Sequence, residues 1–432
     1  MDLWSRGRKW FPAVATLLLA VAAVTYWRWT CTASYQIRRI LASAPIETAL
    51  VQGLDVSSYV RALVAVGRVE EARRIARRVP DLALRSAVLS HLAESLAKTG
   101  MTGDAASTAQ EALSVAQQIP VNLGRSSALI SGAFALAIAG NGAEAGSLAR
   151  QLPDAPSRDA ALSSVAGALA RAGRWQEAQR LVLEIRDVTT RACTSSSVAI
   201  ALSKAGRSED AALLLARAQL LADGTTVRPA ADHVLTCIAV ALAKIGKPEE
   251  AHRVAREIHE VPAHAQALSA VTAALARNGK WEEAESLAGD IPDIDARARA
   301  FSSLAQALAG QRNWKEARRA AYQIQDAEAC SRALSDVAAA TARAGEHDQA
   351  SRAADEAQQI ANTIDDEGRY RALESVAEAM AVAGRWKRAR AVAEDVRDTA
   401  AQLRAYAMIL NQYARERHAV RLPNSPLVDD KE

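Results

Sequence analysis

The chain has 432 residues, of which 50% are apolar, 24% charged and only 4% aromatic, and alanine alone fills 99 positions. That apolar share excludes wholesale disorder, and so much alanine beside so few aromatic residues points to helices rather than an all-β fold. The net charge of +4 is uneven: residues 1–40 hold Arg6, Arg8, Lys9, Arg28, Arg38 and Arg39 against Asp2, so the remaining body is near neutral.

Such a body is not what a nucleic-acid binder usually shows. Four cysteines (Cys31, Cys193, Cys237, Cys330) are too few for a disulfide scaffold in a chain this long. They replace small residues within helices and read as unpaired thiols.

A short basic tail, residues 1–9, precedes WFPAVATLLLAVAAVTYW at 10–27. This uncharged run is just long enough for a bilayer core, and Trp10, Phe11, Tyr26, Trp27 and Trp29 suit the two interfacial belts. The expectation is a transmembrane signal anchor in a single-pass membrane protein, N-terminus inside and body outside. A cleaved signal peptide and an interfacial or buried helix are the alternatives. Residues 28–53 read as a linker and N-terminal cap.

Repeats occupy 54–398. The segments VGRVEEA at 66–72, AGRWQEA at 172–178, NGKWEEA at 278–284 and AGRWKRA at 383–389 share one pattern. Its turn glycines are Gly67, Gly100, Gly140, Gly173, Gly206, Gly246, Gly279, Gly345 and Gly384, with Arg312 in the same place in a tenth copy. The spacing is 33 residues, lengthened to 39–40 after Gly100, Gly206 and Gly345. Five residues after every turn stands alanine, from Ala72 to Ala389, and one residue earlier usually an acid. The acids suit the first turn of a helix, and glycine suits the left-handed cap of the helix before it. Pro80-Asp81, Pro153-Asp154 and Pro292-Asp293 end second helices and offer Asp as the next N-cap. Ten helix–turn–helix units would stack into a solenoid with a concave and a convex side. Residues 399–418 are expected to cap it, with Leu403, Tyr406, Leu410 and Tyr413 inward, and 419–432 to form a disordered tail.

Glycine, an aromatic at plus two (Trp175, Trp281, Trp314, Trp386), an acid at plus four and alanine at plus five resemble the tetratricopeptide repeat. Two departures are the period and the absence of the family's early first-helix tryptophan and tyrosine. The turn around Lys204-Ala205-Gly206-Arg207 is also similar to the pentatricopeptide repeat, an RNA reader. The resemblance implies an all-α, right-handed α-solenoid of about ten repeats that binds a peptide or partner protein on its inner helices, without catalysing a reaction. The membrane-anchored scaffold is the leading reading and a pentatricopeptide-like RNA-binding solenoid the alternative.

Two residues before the turn stand Lys98, Arg171, Lys204, Lys244, Arg277 and Arg343. The resemblance places them on the concave groove, where a basic ladder would attract an acidic peptide; the competing reading is solvated cations at helix C-termini. Ten residues before the turn, Ser57, Ser90, Ser163, Ser196, Thr236, Ser269, Ser302 and Ser335 match a place where pentatricopeptide proteins choose a base. Their simpler role is as small residues bonding back to their own helix. The companion place holds Ser86, Ser126, Asp159, Ala192, Asp232, Ala265, Ala298, Ser331 and Tyr370, several unable to read a base edge. The tryptophans are expected to pack in the core. His233 and Cys237 lie one turn apart, as a metal pair would, but His252, His259 and His264 scatter over other helices, so no metal is expected. Neither a phosphate loop nor a nucleophile elbow appears, and no cofactor, small-molecule substrate or nucleic-acid partner is expected.

Overall fold

The computed structural model describes residues 33–365 and 367–420; the basic tail, the apolar run 10–27 and residues 421–432 lie outside them. A helix over 33–43 (α1) and α2 (Ile46–Val51) precede ten hairpins. These are α3 (Ser57–Ala65) with α4 (Val69–Arg78), α5 (Leu82–Lys98) with α6 (Thr102–Gln118), and α7 (Arg125–Ile138) with α8 (Gly142–Arg150). Next come α9 (Ala155–Arg171) with α10 (Trp175–Glu184), α11 (Val188–Lys204) with α12 (Ser208–Asp223), and α13 (Arg228–Lys244) with α14 (Pro248–Ala255). Then follow α15 (Val261–Arg277) with α16 (Trp281–Gly289), α17 (Ile294–Gly310) with α18 (Trp314–Tyr322), α19 (Ala327–Arg343) with α20 (His347–Ala361), and α21 (Gly368–Val382) with α22 (Trp386–Glu394). The last helix is α23 (Thr399–Val420). Among the described residues there is no strand.

One hydrogen bond recurs at every hairpin. The residue after the turn donates its N–H to the carbonyl four residues before the turn residue, as Arg174 does to Leu169 and Lys247 to Leu242, both at 2.9 Å. All ten turns close this way, and the turn residue between has positive φ. This is the Schellman cap, and it fixes the angle at which the second helix leaves. Arg312 alone makes it without glycine, at φ 63°, among the described residues. All ten alanines five residues on are fully buried, so the helices approach without a side chain between them. Asp81, Asp154, Asp187, Asp293 and Asp326 cap the next first helix, each accepting an N–H at 2.7 Å.

The stack does not end in two free faces. Each first helix packs on the next, α3 on α5 and so on to α21, and α23 packs on α21 on one flank and on α3 on the other. The chain therefore closes into a ring. Ser34 Oγ meets the Tyr413 hydroxyl at 2.8 Å, and Arg390 Nε donates to Gln36 Oε1 at 2.6 Å, across 379 and 354 residues. Buried Trp386 stands edge-on to Tyr413, with ring centroids 6.0 Å apart. The expected cap is thus the closing wedge. First helices touch their own kind all round whereas second helices pack chiefly on first helices, so the first helices form the inner, shorter circumference. Eleven of them at about 9 Å spacing describe an axis circle roughly 30 Å across, leaving an opening of about 20 Å.

The outer helices are linked instead by ion pairs: Arg77–Glu111, Arg150–Glu184, Arg319–Glu285 and Arg388–Asp355 at 2.6–2.8 Å. Exposed pairs of this kind contribute about 1 kcal/mol or less each.

The single-pass membrane placement expected from the sequence is corrected here. Among the described residues no helix is long and apolar enough to cross a membrane. The long helices carry polar side chains on one face, and the run 10–27 on which the expectation rested lies outside the described residues.

Two outcomes follow from the turns and the closure. Arg312→Gly should stabilise the chain by about 1 kcal/mol by relieving a left-handed side-chain-bearing residue, readable as a higher urea midpoint. Deleting 399–432 should raise the radius of gyration in X-ray solution scattering despite the lost mass; an unchanged radius would contradict ring closure by α23.

Candidate functional site

An inner helix has an inner neighbour on each flank and outer helices behind it, so one face is left toward the opening. Its residues stand 13, 9, 6 and 2 places before the turn, a spacing that lines one side of a helix. In α11 these are Cys193, Ser197, Ile200 and Lys204; in α23 the same spacing gives Arg404, Met408, Asn411 and Arg415.

Lys98, Arg171, Lys204, Lys244, Arg277 and Arg343 are all exposed at the C-terminal ends of these helices. The inner helices run the same way, so these cations share one rim. Their surroundings differ. Lys98 Nζ holds Glu94 at 2.7 Å, and His91, 3.7 Å away, together with Lys98 keeps the Glu94 carboxyl down at about 2. Arg171 lies over the Phe134 ring, 5.2 Å from its centroid. Arg277 donates to the Ala243 carbonyl at the end of the preceding inner helix, at 3.2 Å. Lys204, Lys244 and Arg343 have no ion pair among the described residues.

Sequence reading missed a second set. Arg299, Arg332 and Arg371, with Arg404 of α23, stand at the other end of the inner stripe and are exposed. Arg332 and Arg371 share Glu328, and Arg404 pairs with buried Glu374 at 2.8 Å. The signal was available, because three of them recur 13 places before a turn. A recurring cation gains meaning only where the inner helices converge, and that convergence is not a local property of the sequence. Arg61 and Arg415 complete the cations, against three stripe carboxylates, Glu94, Asp336 and Glu378. Burial pushes the Asp336 and Glu378 carboxyls above the usual carboxylate range, and Gln306 Nε2 donates to Asp336 Oδ2 at 2.6 Å. The near-neutral body thus conceals a basic inner wall.

The supposed base-choosing places lie in the packing between helices. Ser196, Thr236 and Ser335 are buried and donate to carbonyls four residues back, at 2.8–3.1 Å. In the companion place, Ser86 and Ser331 donate across to Ala112 and Ala357. Buried Asp159 accepts the N–H groups of Arg186 and Asp187, and buried Asp232 those of His259 and Glu260. Ser86, Ser331, Asp159 and Asp232 thus fasten α5, α19, α9 and α13 to their hairpin partners or to the following loop, while the hydroxyls of Ser196, Thr236 and Ser335 bond back to their own helix.

Trp175, Trp281 and Trp314 are half-buried against the core, and Trp386 is buried. The reading of the cysteines as unpaired thiols is corrected: Cys193 and Cys237 are cross-linked between α11 and α13, with Cα atoms 5.3 Å apart. Sequence spacing could not show this, since the two occupy different places in their repeats. Cys330 is free, and burial pushes its thiol up. His233 stands beside the pair, and a ligand atom of each of the three residues lies within 4.8 Å of the others. His252, His259 and His264 do not join them among the described residues.

A model of the pentatricopeptide (PPR) repeat matches residues 267–291, which take in the C-terminal part of α15, the turn and the whole of α16. No curated protein matches. Among solved structures, Ton1535 from Thermococcus onnurineus NA1 aligns at 17% identity over 71% of this chain and 99% of its own, with a TM-score of 0.29. The pentatricopeptide repeat protein PPR10 from maize aligns at 17% identity over 90% of this chain and 67% of its own, with a TM-score of 0.28. The P58(IPK) TPR domain aligns at 16% identity over 78% and 98%, with a TM-score of 0.18. The fold is an all-α solenoid of repeated helical hairpins, similar to the pentatricopeptide repeat over residues 267–291.

The raised carboxyl of Asp336 yields a signed pH effect. The folded chain holds this proton more tightly than the unfolded chain, so stability falls as pH rises from the ordinary carboxylate range through the raised folded value. Asp336→Asn keeps an acceptor for Gln306 and removes the desolvated charge. Its urea midpoint should exceed that of the parent at neutral pH, and the difference should vanish below the ordinary carboxylate range.

Proposed function

We propose that this chain is a ring-shaped protein-interaction scaffold whose basic inner wall grips an acidic segment of a partner protein. The observation that carries this reading is the charge sorting: among the described residues Lys204, Lys244 and Arg343 on one rim and Arg299 at the other end of the stripe make no ion pair, although Arg343 lies near enough to Asp336 and Glu378 to act on their charges. An opening of about 20 Å admits an extended chain or a helix roughly 10 Å wide. Carboxylates spaced along such a segment would meet cations on successive inner helices, and electrostatic complementarity would set encounter rate and register. The reading is one of binding; it includes no catalytic residue, cofactor or small-molecule substrate.

RNA is the second reading, because the same cations suit phosphates and the pentatricopeptide match covers the C-terminal part of α15 with α16. Two observations weigh against it. Unsequenced single strands are usually held by aromatic stacking, yet the inner stripe offers Phe134, already covered by Arg171. The places that choose bases in pentatricopeptide proteins are here occupied with packing.

The test uses fluorescence anisotropy with a labelled Asp/Glu-rich peptide and a labelled oligoribonucleotide at graded salt. Charge reversal at Lys204, Lys244 and Arg343 together should weaken peptide binding about 10–100-fold, at up to ~1 kcal/mol per lost pair. Peptide affinity unmoved by the reversal would sink the proposal, and salt-sensitive oligoribonucleotide binding without peptide binding would replace it by the second reading.

A further inference from the structure

We infer that Cys193, His233 and Cys237 form a thiol-gated metal site on the inner wall, taking a zinc-class divalent cation when reduced and closed by the cross-link when oxidised. The inference is independent of the peptide reading.

The placement comes from the repeat. Cys193 and His233 occupy the same position, 13 residues before the turn, on the neighbouring helices α11 and α13. Cys237 follows His233 by one helical turn, so both point from the same face of α13. All three belong to the stripe lining the opening, and His233 is exposed. Their ligand atoms lie within 4.8 Å of one another. Tetrahedral donors on zinc, with Zn–S bonds of about 2.3 Å, sit about 3.8 Å apart. Cα atoms 5.3 Å apart let the freed sulfurs reach that separation by side-chain rotation, without moving either helix. Two thiolates with an imidazole favour zinc over magnesium or calcium, whose ligands are oxygens. With three protein ligands, the fourth position faces the opening and is left for water or a partner's side chain.

The chemistry closes with a thiol reductant. Its thiolate attacks one sulfur of the cross-link, breaking the sulfur–sulfur bond and leaving a mixed disulfide. A second reductant thiolate resolves that disulfide, so the reductant leaves oxidised and both cysteine sulfurs take up protons. Zinc then displaces the two thiol protons to solvent while neutral His233 contributes its lone pair. A small-molecule disulfide reverses the sequence: one cysteine thiolate attacks it and releases a thiol, the other cysteine resolves the mixed disulfide and releases a second thiol, and the metal leaves with its two sulfur ligands joined. The same three residues therefore alternate between a covalent tie from α11 to α13 and an open metal centre.

The experiment titrates the full chain with Co²⁺, then Zn²⁺, after reduction by a phosphine that does not itself offer thiols. One equivalent of Co²⁺ should bind with thiolate-to-metal charge-transfer absorption, displaced by Zn²⁺ and absent from the oxidised chain. Cys193→Ser and Cys237→Ser should each abolish the two-thiolate spectrum, His233→Ala should weaken Zn²⁺ binding at least about tenfold, and Cys330→Ser should change nothing. A reduced chain without charge transfer would overturn the inference. So would binding that persists after oxidation, is unmoved by His233→Ala, or is lost in Cys330→Ser.

Discussion

Every hairpin hangs on one backbone hydrogen bond, from the residue after the turn to the carbonyl four residues before the turn residue. That bond forms only when the residue between adopts left-handed backbone, a conformation open to glycine and costly for side-chain-bearing residues. Ten copies impose nearly the same rotation on ten successive hairpins, and nearest-neighbour geometry then sets the global shape. The rotation is close to one-eleventh of a circle per unit, since α23 arrives where an eleventh first helix would stand and completes the circuit against α3. The extra turns of α6, α12 and α20 lie in the outer layer, where they lengthen a rim loop without altering the inner spacing.

Closure changes what the side chains mean. In an open stack, the residues two places before each turn are solvated helix ends. In a ring they converge on one rim. The residues 13 places before the turn converge at the other end of the stripe. The low net charge of the body hid this, because a sum over the chain discards the direction in which charges point. The acids are present in similar number, and 13 of the 49 lie in first turns of outer helices, where the helix dipole favours them.

The turns, the ten buried alanines and the aspartate caps were legible in the sequence because each rests on local backbone physics with a fixed spacing. Contacts between residues far apart in the chain were not. Ser34 with Tyr413, Arg390 with Gln36 and Cys193 with Cys237 depend on how small rotations accumulate, or on which faces of two helices touch. The helical spacing turns Tyr406 and Tyr413 inward, where both are buried, yet nothing local says that their partner is α3 or α1 rather than the repeat before. The basic ladder was half legible: the six C-terminal cations recur in one place, whereas Arg404 has no turn from which to count.

The two walls of the ring treat charge differently, and the contrast bears on the proposed function. Outside, Arg77, Arg150, Arg319 and Arg388 each find a carboxylate on the neighbouring outer helix. The same sequence pattern could place acids opposite Lys204, Lys244 and Arg299 on the inner helices, yet it puts Ile200, Val240 and Ala273 along the stripe instead. Exposed like charges facing one another across about 20 Å repel weakly at physiological salt, where the screening length is about 8 Å, and more strongly at low salt. Self-repulsion of this kind lowers the stability of the closed form, so it serves no purpose in holding the ring together. A bound acidic segment would remove the repulsion as it gained its own contacts. That coupling gives the ring a reason to carry cations inward that the packing alone does not supply.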